Sequence, residues 1–219
     1  GARGHVADEV LRVCDNVPVA RISTLLEPEG RVTGQPERLA ENTSIAFQGC
    51  VVLGTGFILE SEEAQAWIAQ DPRNAEVLFP YLNGEDLNSR CDCSPSRWVI
   101  DFFNRSEHES STYRLPFSRV VSDVRSERLL KKQPSYRTYW WQFAHKGTAW
   151  KAATANLDEV LVIALVSKTV MPVRVPAGQV FSHRLAVFAT DQFTDQAVLS
   201  SDIHWFWAVV YSSTLETRV

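Results

Sequence analysis

Tyr139-Trp140-Trp141-Gln142-Phe143-Ala144-His145-Lys146 opens a stretch that runs to Phe188 and decides how the chain reads. Behind it comes an unbroken apolar run, Val160-Leu161-Val162-Ile163-Ala164-Leu165-Val166, then Ser167-Lys168-Thr169. A second strand-like segment ends in Val175-Pro176-Ala177-Gly178, and Val187-Phe188-Ala189 follows. A short apolar run bounded by turn residues predicts a buried strand. The stretch therefore reads as an aromatic, cationic shelf feeding two strands whose tips carry Lys168, Thr169, Met171 and Arg174. Stacking rings beside long donors suit a flat, anionic, hydrogen-bonding ligand, and nucleic acid has that chemistry.

Composition bounds the rest. The chain has 219 residues, 45% of them hydrophobic, enough for one generous core. Its net charge of −4 excludes a uniformly basic nucleic-acid binder, so any anion-binding face is local. Such a local excess exists. Between Arg114 and Lys151 lie nine cations (Arg114, Arg119, Arg125, Arg128, Lys131, Lys132, Arg137, Lys146, Lys151) against Asp123 and Glu127. Leu115, Val120, Val121 and Val124 predict a helix carrying that basic face. Phosphate contacts need clustered Lys and Arg, although a solvated helix surface has the same signature.

Cys14, Cys50, Cys91 and Cys93 are scattered behind no signal peptide, which reads as reduced thiols in a cytoplasm. Cys91-x-Cys93 has the wrong spacing for a zinc knuckle and lacks a second ligand pair. No apolar run approaches the roughly 20 residues of a membrane helix. Met171 is the only methionine and Gly occupies position 1, so the chain reads as a segment of a longer one.

Residues 1–46 read as a connecting arm, with a helix over Val6–Val13, a strand over Val19–Ile22 and a loop between Glu27 and Glu41. Val51–Leu53 and Phe57–Leu59 read as strands around a Gly54-x-Gly56 turn. Ser61 is a candidate N-cap of a helix that Asp71-Pro72 stops. Asn83–Leu87 reads as a turn after Leu78–Leu82. Arg97–Phe103 reads as a strand and Ser106–Ser111 as polar loop. Asp191 is expected to cap a helix through Leu199, and another helix spans Ser201–Tyr211. There Trp205 and Trp207 are expected in the core, and His204 as a satisfied core histidine. Short strands and helices in this mixture predict a single α+β domain.

Catalytic patterns are missing. Gly54-Thr55-Gly56 lacks the third glycine opening a helix that a dinucleotide site needs. There is no phosphate-binding Gly-Lys-Ser/Thr loop, no nucleophile elbow and no Asn/Asp-Pro-Pro-Tyr/Phe. Asp101, Asp158 and Glu159 lack the Glu-x-Lys partner of a metal-dependent nuclease. On its residues the chain reads as non-catalytic.

An ordered set of motifs resembles the target recognition domain of MmeI-like proteins, single-chain restriction-modification enzymes and related adenine-specific DNA methyltransferases. The set comprises Phe47-Gln48-Gly49, Leu53-Gly54-x-Gly56-Phe57, Asp71-Pro72-Arg73-Asn74 and Leu78 through Leu87. It continues with Arg97–Phe102, Trp140–Ala144, Val166-Ser167-Lys168, Leu199-Ser200-Ser201 with His204, and Ser212 through Arg218. The resemblance implies that residues 47–219 are a DNA target recognition domain whose partners are double-stranded DNA and the methyltransferase core of the same parent chain. The S-adenosylmethionine site would lie in that core, leaving no cofactor in this segment. A module of this kind positions base pairs while the core flips out one adenine.

The resemblance also implies base readers between Ser167 and Val175. Strand alternation puts either Thr169, Met171 and Val173, or Lys168, Val170, Pro172 and Arg174, on the outer face. Arg174 and Lys168 suit guanine acceptors, and Met171 a thymine methyl. Arg125, Arg128, Lys131, Lys132, Arg137 and Lys146 are the candidate phosphate contacts. Trp140 and Trp141 read either as a stacking platform or as core. The alternative function is a non-catalytic protein-docking domain using the aromatic shelf.

Overall fold

The computed structural model describes residues 12–14, 16–19 and 39–211. The charged loop expected between Glu27 and Glu41 and the Ser212–Arg218 motif lie outside the described residues, apart from 39–41. A small hairpin opens the described chain: β1 (Arg12–Cys14) pairs antiparallel with β2 (Val17–Val19) across Asn16, which has a φ of 64°. Arg12 and Val13, expected in a helix, are thus in a strand. β2 ends at Val19, where the expected Val19–Ile22 strand was to begin.

The remaining elements are β3 (Ala46–Gln48), β4 (Ile58–Glu60), α1 (Ser61–Gln70), β5 (Leu78–Leu82), α2 (Gly84–Ser89) and β6 (Arg97–Ile100). Then follow α3 (Glu107–Ser111), α4 (Arg114–Asp123), α5 (Arg125–Leu129), α6 (Pro134–Thr138) and α7 (Thr148–Ala153). The chain ends in β7 (Glu159–Ala164), β8 (Val173–Pro176), β9 (Val180–Phe181), β10 (Leu185–Phe188), α8 (Phe193–Leu199) and α9 (Asp202–Tyr211). This is the expected α+β domain.

Two four-stranded sheets carry it. One has the order β3-β10-β7-β8, with every pair antiparallel. The other has the order β4-β6-β5-β9, antiparallel except for β9 beside β5. β9 and β10 are joined by one tight turn, so that turn links the sheets. β7 is the sheet's central apolar strand, with Val160 through Ala164 all buried. Val160, Val162 and Ala164 join Phe57, Leu82, Ile100, Trp150 and Phe181 in one core. Phe57 meets Phe143 edge-on at 5.5 Å, and Trp150 meets Phe181 at 5.2 Å. Such edge-to-face pairs add to the burial of apolar area.

Local chemistry explains where the sequence reading departs. Val51–Leu53 makes no strand: Cys50 and Val51 form single bridges to Ser182 and His145, and Leu53 turns with φ 50°. Asn83 does not merely turn the chain. It caps α2 reciprocally with Asp86, and Ser106 does the same with Glu109 at the start of α3. α1 begins one residue early, at Ser61, and stops before Asp71-Pro72 as expected; Asp71 then caps the 3₁₀ turn over Pro72–Glu76 through the Arg73 N–H. Asp191 does not cap α8; Thr190 accepts the Gln192 N–H at 3.1 Å instead. Trp205 and Trp207 are 42% and 52% exposed rather than core; among the described residues α9 packs chiefly against α8. His204 is half-buried, with Nδ1 2.7 Å from the Leu199 carbonyl. No helix among the described residues is long and apolar enough to cross a membrane.

Candidate nucleic-acid interface

Residues 165–172 are the long connection between the antiparallel strands β7 and β8. The expected strand alternation over Ser167–Val175 therefore does not apply until Val173. The apolar run loses its strand partners after Ala164, and Leu165 and Val166 are each 44% exposed. Lys168, Thr169 and Met171 lie on the outside of this loop, with Met171 57% exposed.

The loop is braced at its base. Asn88 at the end of α2 donates to the Val166 carbonyl at 3.1 Å and accepts the Ser167 hydroxyl at 2.6 Å. The same hydroxyl oxygen accepts the Thr169 N–H at 3.2 Å, and Leu165 N–H donates to the Arg184 carbonyl at 2.8 Å. Ser167 is buried, so its bonds are shielded from water. Asn88 lies about eighty positions upstream and was not singled out by sequence reasoning. Nothing local to residues 165–172 marks it as their partner.

Arg174 turns away from this loop's exposed side chains. Its side chain is 15% exposed and donates to Gln196 Oε1 at 3.2 and 3.3 Å and to the Asp191 carbonyl at 2.8 Å. Glu159 lies 3.5 Å away, and the guanidinium sits 4.3 Å from the Phe193 ring centroid. A guanidinium has five donors in a fixed fork, and this one is committed to tying β8 to α8. The expectation that Arg174 reads a base gives way to a bracing role.

The basic segment divides into inward and outward cations. Arg128 is fully buried: Nε donates to the Trp140 carbonyl at 3.5 Å, Nη2 donates to the Gln142 carbonyl, and Tyr136 lies 5.1 Å beneath. Burial without a carboxylate partner lowers its pKa. It cannot reach a phosphate, which corrects its expected role. Val124 on the apolar side of α4 and α5 falls four residues before it, so the helix carries Arg128 inward on the same face.

Lys131 pairs with Glu127 at 2.7 Å, and Arg125 lies 5.1 Å over Trp140. Lys132 and Arg137 are exposed and make no ion pair among the described residues. Lys146 donates to the neutral amide oxygens of Asn104 at 2.7 Å and Gln142 at 3.3 Å, which leaves its charge uncompensated. Trp140 and Trp141 are core, 4% and 6% exposed, so the stacking platform is not built from them. Trp141 Nε1 donates to the Arg105 carbonyl at 3.0 Å, the partner that a buried indole needs.

A concavity of about 470 Å³ lies at the other end of β7 and β8, between α7 and the Ala177–Val180 turn. Its floor is an ion pair between Asp101, 2% exposed, and Lys151. Lys151 Nζ lies 4.5 Å from the Phe103 ring centroid, and Asp101 Oδ1 accepts the Phe103 N–H at 2.8 Å. That bond holds Phe103 at a φ of 48°. Both charges are satisfied by each other, so the cleft reads as a structural staple.

Two four-stranded sheets packed with helices define an α+β domain. Residues 28–219 match the family described as the MmeI target recognition domain, and the chain belongs to that family. It is similar to a solved structure of the Type IIL restriction-modification enzyme MmeI in complex with DNA, with a TM-score of 0.69 and 17% identity. The similarity covers 92% of this chain and 27% of that one, so the chain spans about a quarter of the length of that enzyme. No curated protein matches the sequence.

Proposed function

We propose that the chain is a sequence-recognition module for duplex DNA, in which the 165–172 loop reads base edges. The observation that carries this reading is the loop itself: exposed Lys168, Thr169 and Met171 on a base held by buried Ser167 and by Asn88. A donor, a hydroxyl and an apolar group within four residues can distinguish base-pair edges in a major groove. Arg125, Lys132, Arg137 and Lys146 supply phosphate contacts. The adenine-specific methyltransferase core, with its S-adenosylmethionine, belongs to another part of the parent chain, which works on DNA in the cytoplasm.

The test is selection of bound duplexes from a randomised pool at low salt. A shared motif of several base pairs is the expected result. Recovery of unrelated duplexes would reduce the loop to a phosphate contact, and recovery of none would overturn the reading.

One observation favours a protein-docking role instead. α8 and α9 expose Phe193, Val198, Ile203, Phe206 and Trp207, with Ile203 83% and Phe206 61% exposed. Large exposed apolar side chains gathered on two neighbouring helices suit an interaction surface. That reading predicts a stable partner complex on gel filtration and no salt-dependent DNA affinity.

A further inference from the structure

The turn that joins the two sheets carries a residue that neither the motif set nor the basic segment includes. Ser182 through Leu185 is a tight turn closed by Leu185 N–H to the Ser182 carbonyl at 2.9 Å, with His183 and Arg184 exposed at its centre. It is held from three directions. Ser182 N–H donates to Leu82 at 2.9 Å, His183 N–H to Cys50 at 2.8 Å, and Gln48 Nε2 donates to the His183 carbonyl at 2.7 Å. Gly49 closes the contact, because a Cβ there would stand 2.2 Å from the Ser182 carbonyl oxygen. Finally, Leu165 N–H donates to the Arg184 carbonyl at 2.8 Å, which sets the turn directly beside the base of the 165–172 loop.

Two exposed cations, Lys168 and Arg184, thus flank one hydrogen bond. None of the ion pairs among the described residues includes Arg184, although α2 with Glu85 and Asp86 is close by. Asp86 is buried and occupied with the Asn83 and Ser96 N–H groups. With its backbone held by these hydrogen bonds and its guanidinium in none of those ion pairs, Arg184 presents a positive charge to an external anion from a fixed point of the fold.

We propose that Arg184 clamps a DNA phosphate and thereby sets the register in which the 165–172 loop meets the bases. This rests on the DNA-recognition reading. Reach decides phosphate over base. The loop has eight residues to extend into a groove about 8.5 Å deep, whereas a two-residue turn stays at the level of the sheet edge. A contact at the groove rim fixes position without reading sequence.

The experiment measures binding of the 219-residue chain to its selected duplex and to unrelated duplexes across a salt series, for the unaltered chain, Arg184→Ala and Arg184→Lys. For Arg184→Ala the slope of log affinity against log salt should fall by about 0.9, equally for all duplexes. The selected motif should be unchanged, and Arg184→Lys should restore most of the slope, since a point charge suffices for phosphate. An unchanged slope in Arg184→Ala overturns the clamp. So does a relaxed base position that Lys fails to restore, which would make Arg184 a bidentate base reader. Failure of the unaltered chain to bind any duplex overturns the DNA-recognition reading itself, and with it the clamp.

Discussion

Gly49 lies against the carbonyl of Ser182 so closely that a side chain at position 49 would stand 2.2 Å from that oxygen and 2.5 Å from the Phe181 oxygen. Both obstacles are backbone, so no rotamer relieves them. Gly49→Ala must push β3 away from the turn that carries His183 and Arg184. A strained insertion of this kind costs about 1–3 kcal/mol. In a domain of this size each kcal/mol lowers Tm by about 2–4 °C. A thermal melt checks this; an unchanged Tm would mean that β3 and the turn are free to separate.

Arg128 and Lys132 lie four residues apart and should behave oppositely. Arg128→Ala removes the donors to Trp140 and Gln142 and leaves a cavity, costing about 2–4 kcal/mol in urea unfolding. The salt slope for DNA of the folded fraction should stay as it was. Lys132→Ala with Arg137→Ala should change stability by less than about 0.5 kcal/mol and lower the slope by about two. The reverse pattern would place the phosphate face elsewhere.

The contrast shows what the sequence does and does not display. β7, α1 with its stop at Asp71-Pro72, and α9 are legible because apolar periodicity and a proline are local signals. The capping boxes at Asn83/Asp86 and Ser106/Glu109 are local too, but the same Asn, Gly and Ser residues equally favour turns and loops. Charge counting found the basic segment, yet it cannot tell Arg128 from Lys132, because burial is set by Trp140 and Gln142 arriving from later in the chain. The place of the 165–172 loop, after an apolar strand and before a second one, was legible. Its conformation was not, since Asn88 and Arg184 brace it across 78 and 19 positions.

Asp101, buried at 2% exposure, and Lys151, 20% exposed, form a pair that is more costly to halve than to lose. Asp101→Asn keeps an acceptor for the Phe103 N–H but strands the ammonium, and should cost about 3–5 kcal/mol. Lys151→Met strands the carboxylate with a similar penalty. The double variant should be more stable than the two losses added, with a coupling of about 1–3 kcal/mol. Additive losses in chemical denaturation would show that the pair contributes nothing as a pair.

Cys50 supplies a pH dependence. Burial pushes its thiol up to about 12, with Lys151 pulling in the other direction. The folded state therefore favours the neutral thiol over an unfolded thiol near 9.0. Its contribution is complete below pH 9 and is lost as pH rises from there towards 12. Cys50→Ser keeps a donor for the Lys146 carbonyl and cannot ionise in this range. The unaltered chain should lose stability more steeply than Cys50→Ser between about pH 9 and pH 11 in urea midpoints. Parallel curves would remove Cys50 from the alkaline transition.

Lys168 and Ser167 separate reading from bracing within one loop. Lys168→Ala removes a single exposed donor and should relax one position of the selected motif, costing about 1–3 kcal/mol there and nothing at the others. Ser167→Ala deletes the hydroxyl that joins Asn88 to the Thr169 N–H, and it touches no base. It should weaken every loop-read position together, because the loop then has to be ordered at the moment of binding. Asn88→Ala should reproduce that loss from a different element. Motif selection with the three variants distinguishes these outcomes. Should Ser167→Ala and Asn88→Ala leave the motif intact while Lys168→Ala erases all of it, the loop would be reading through charge alone, and its brace would serve only the fold.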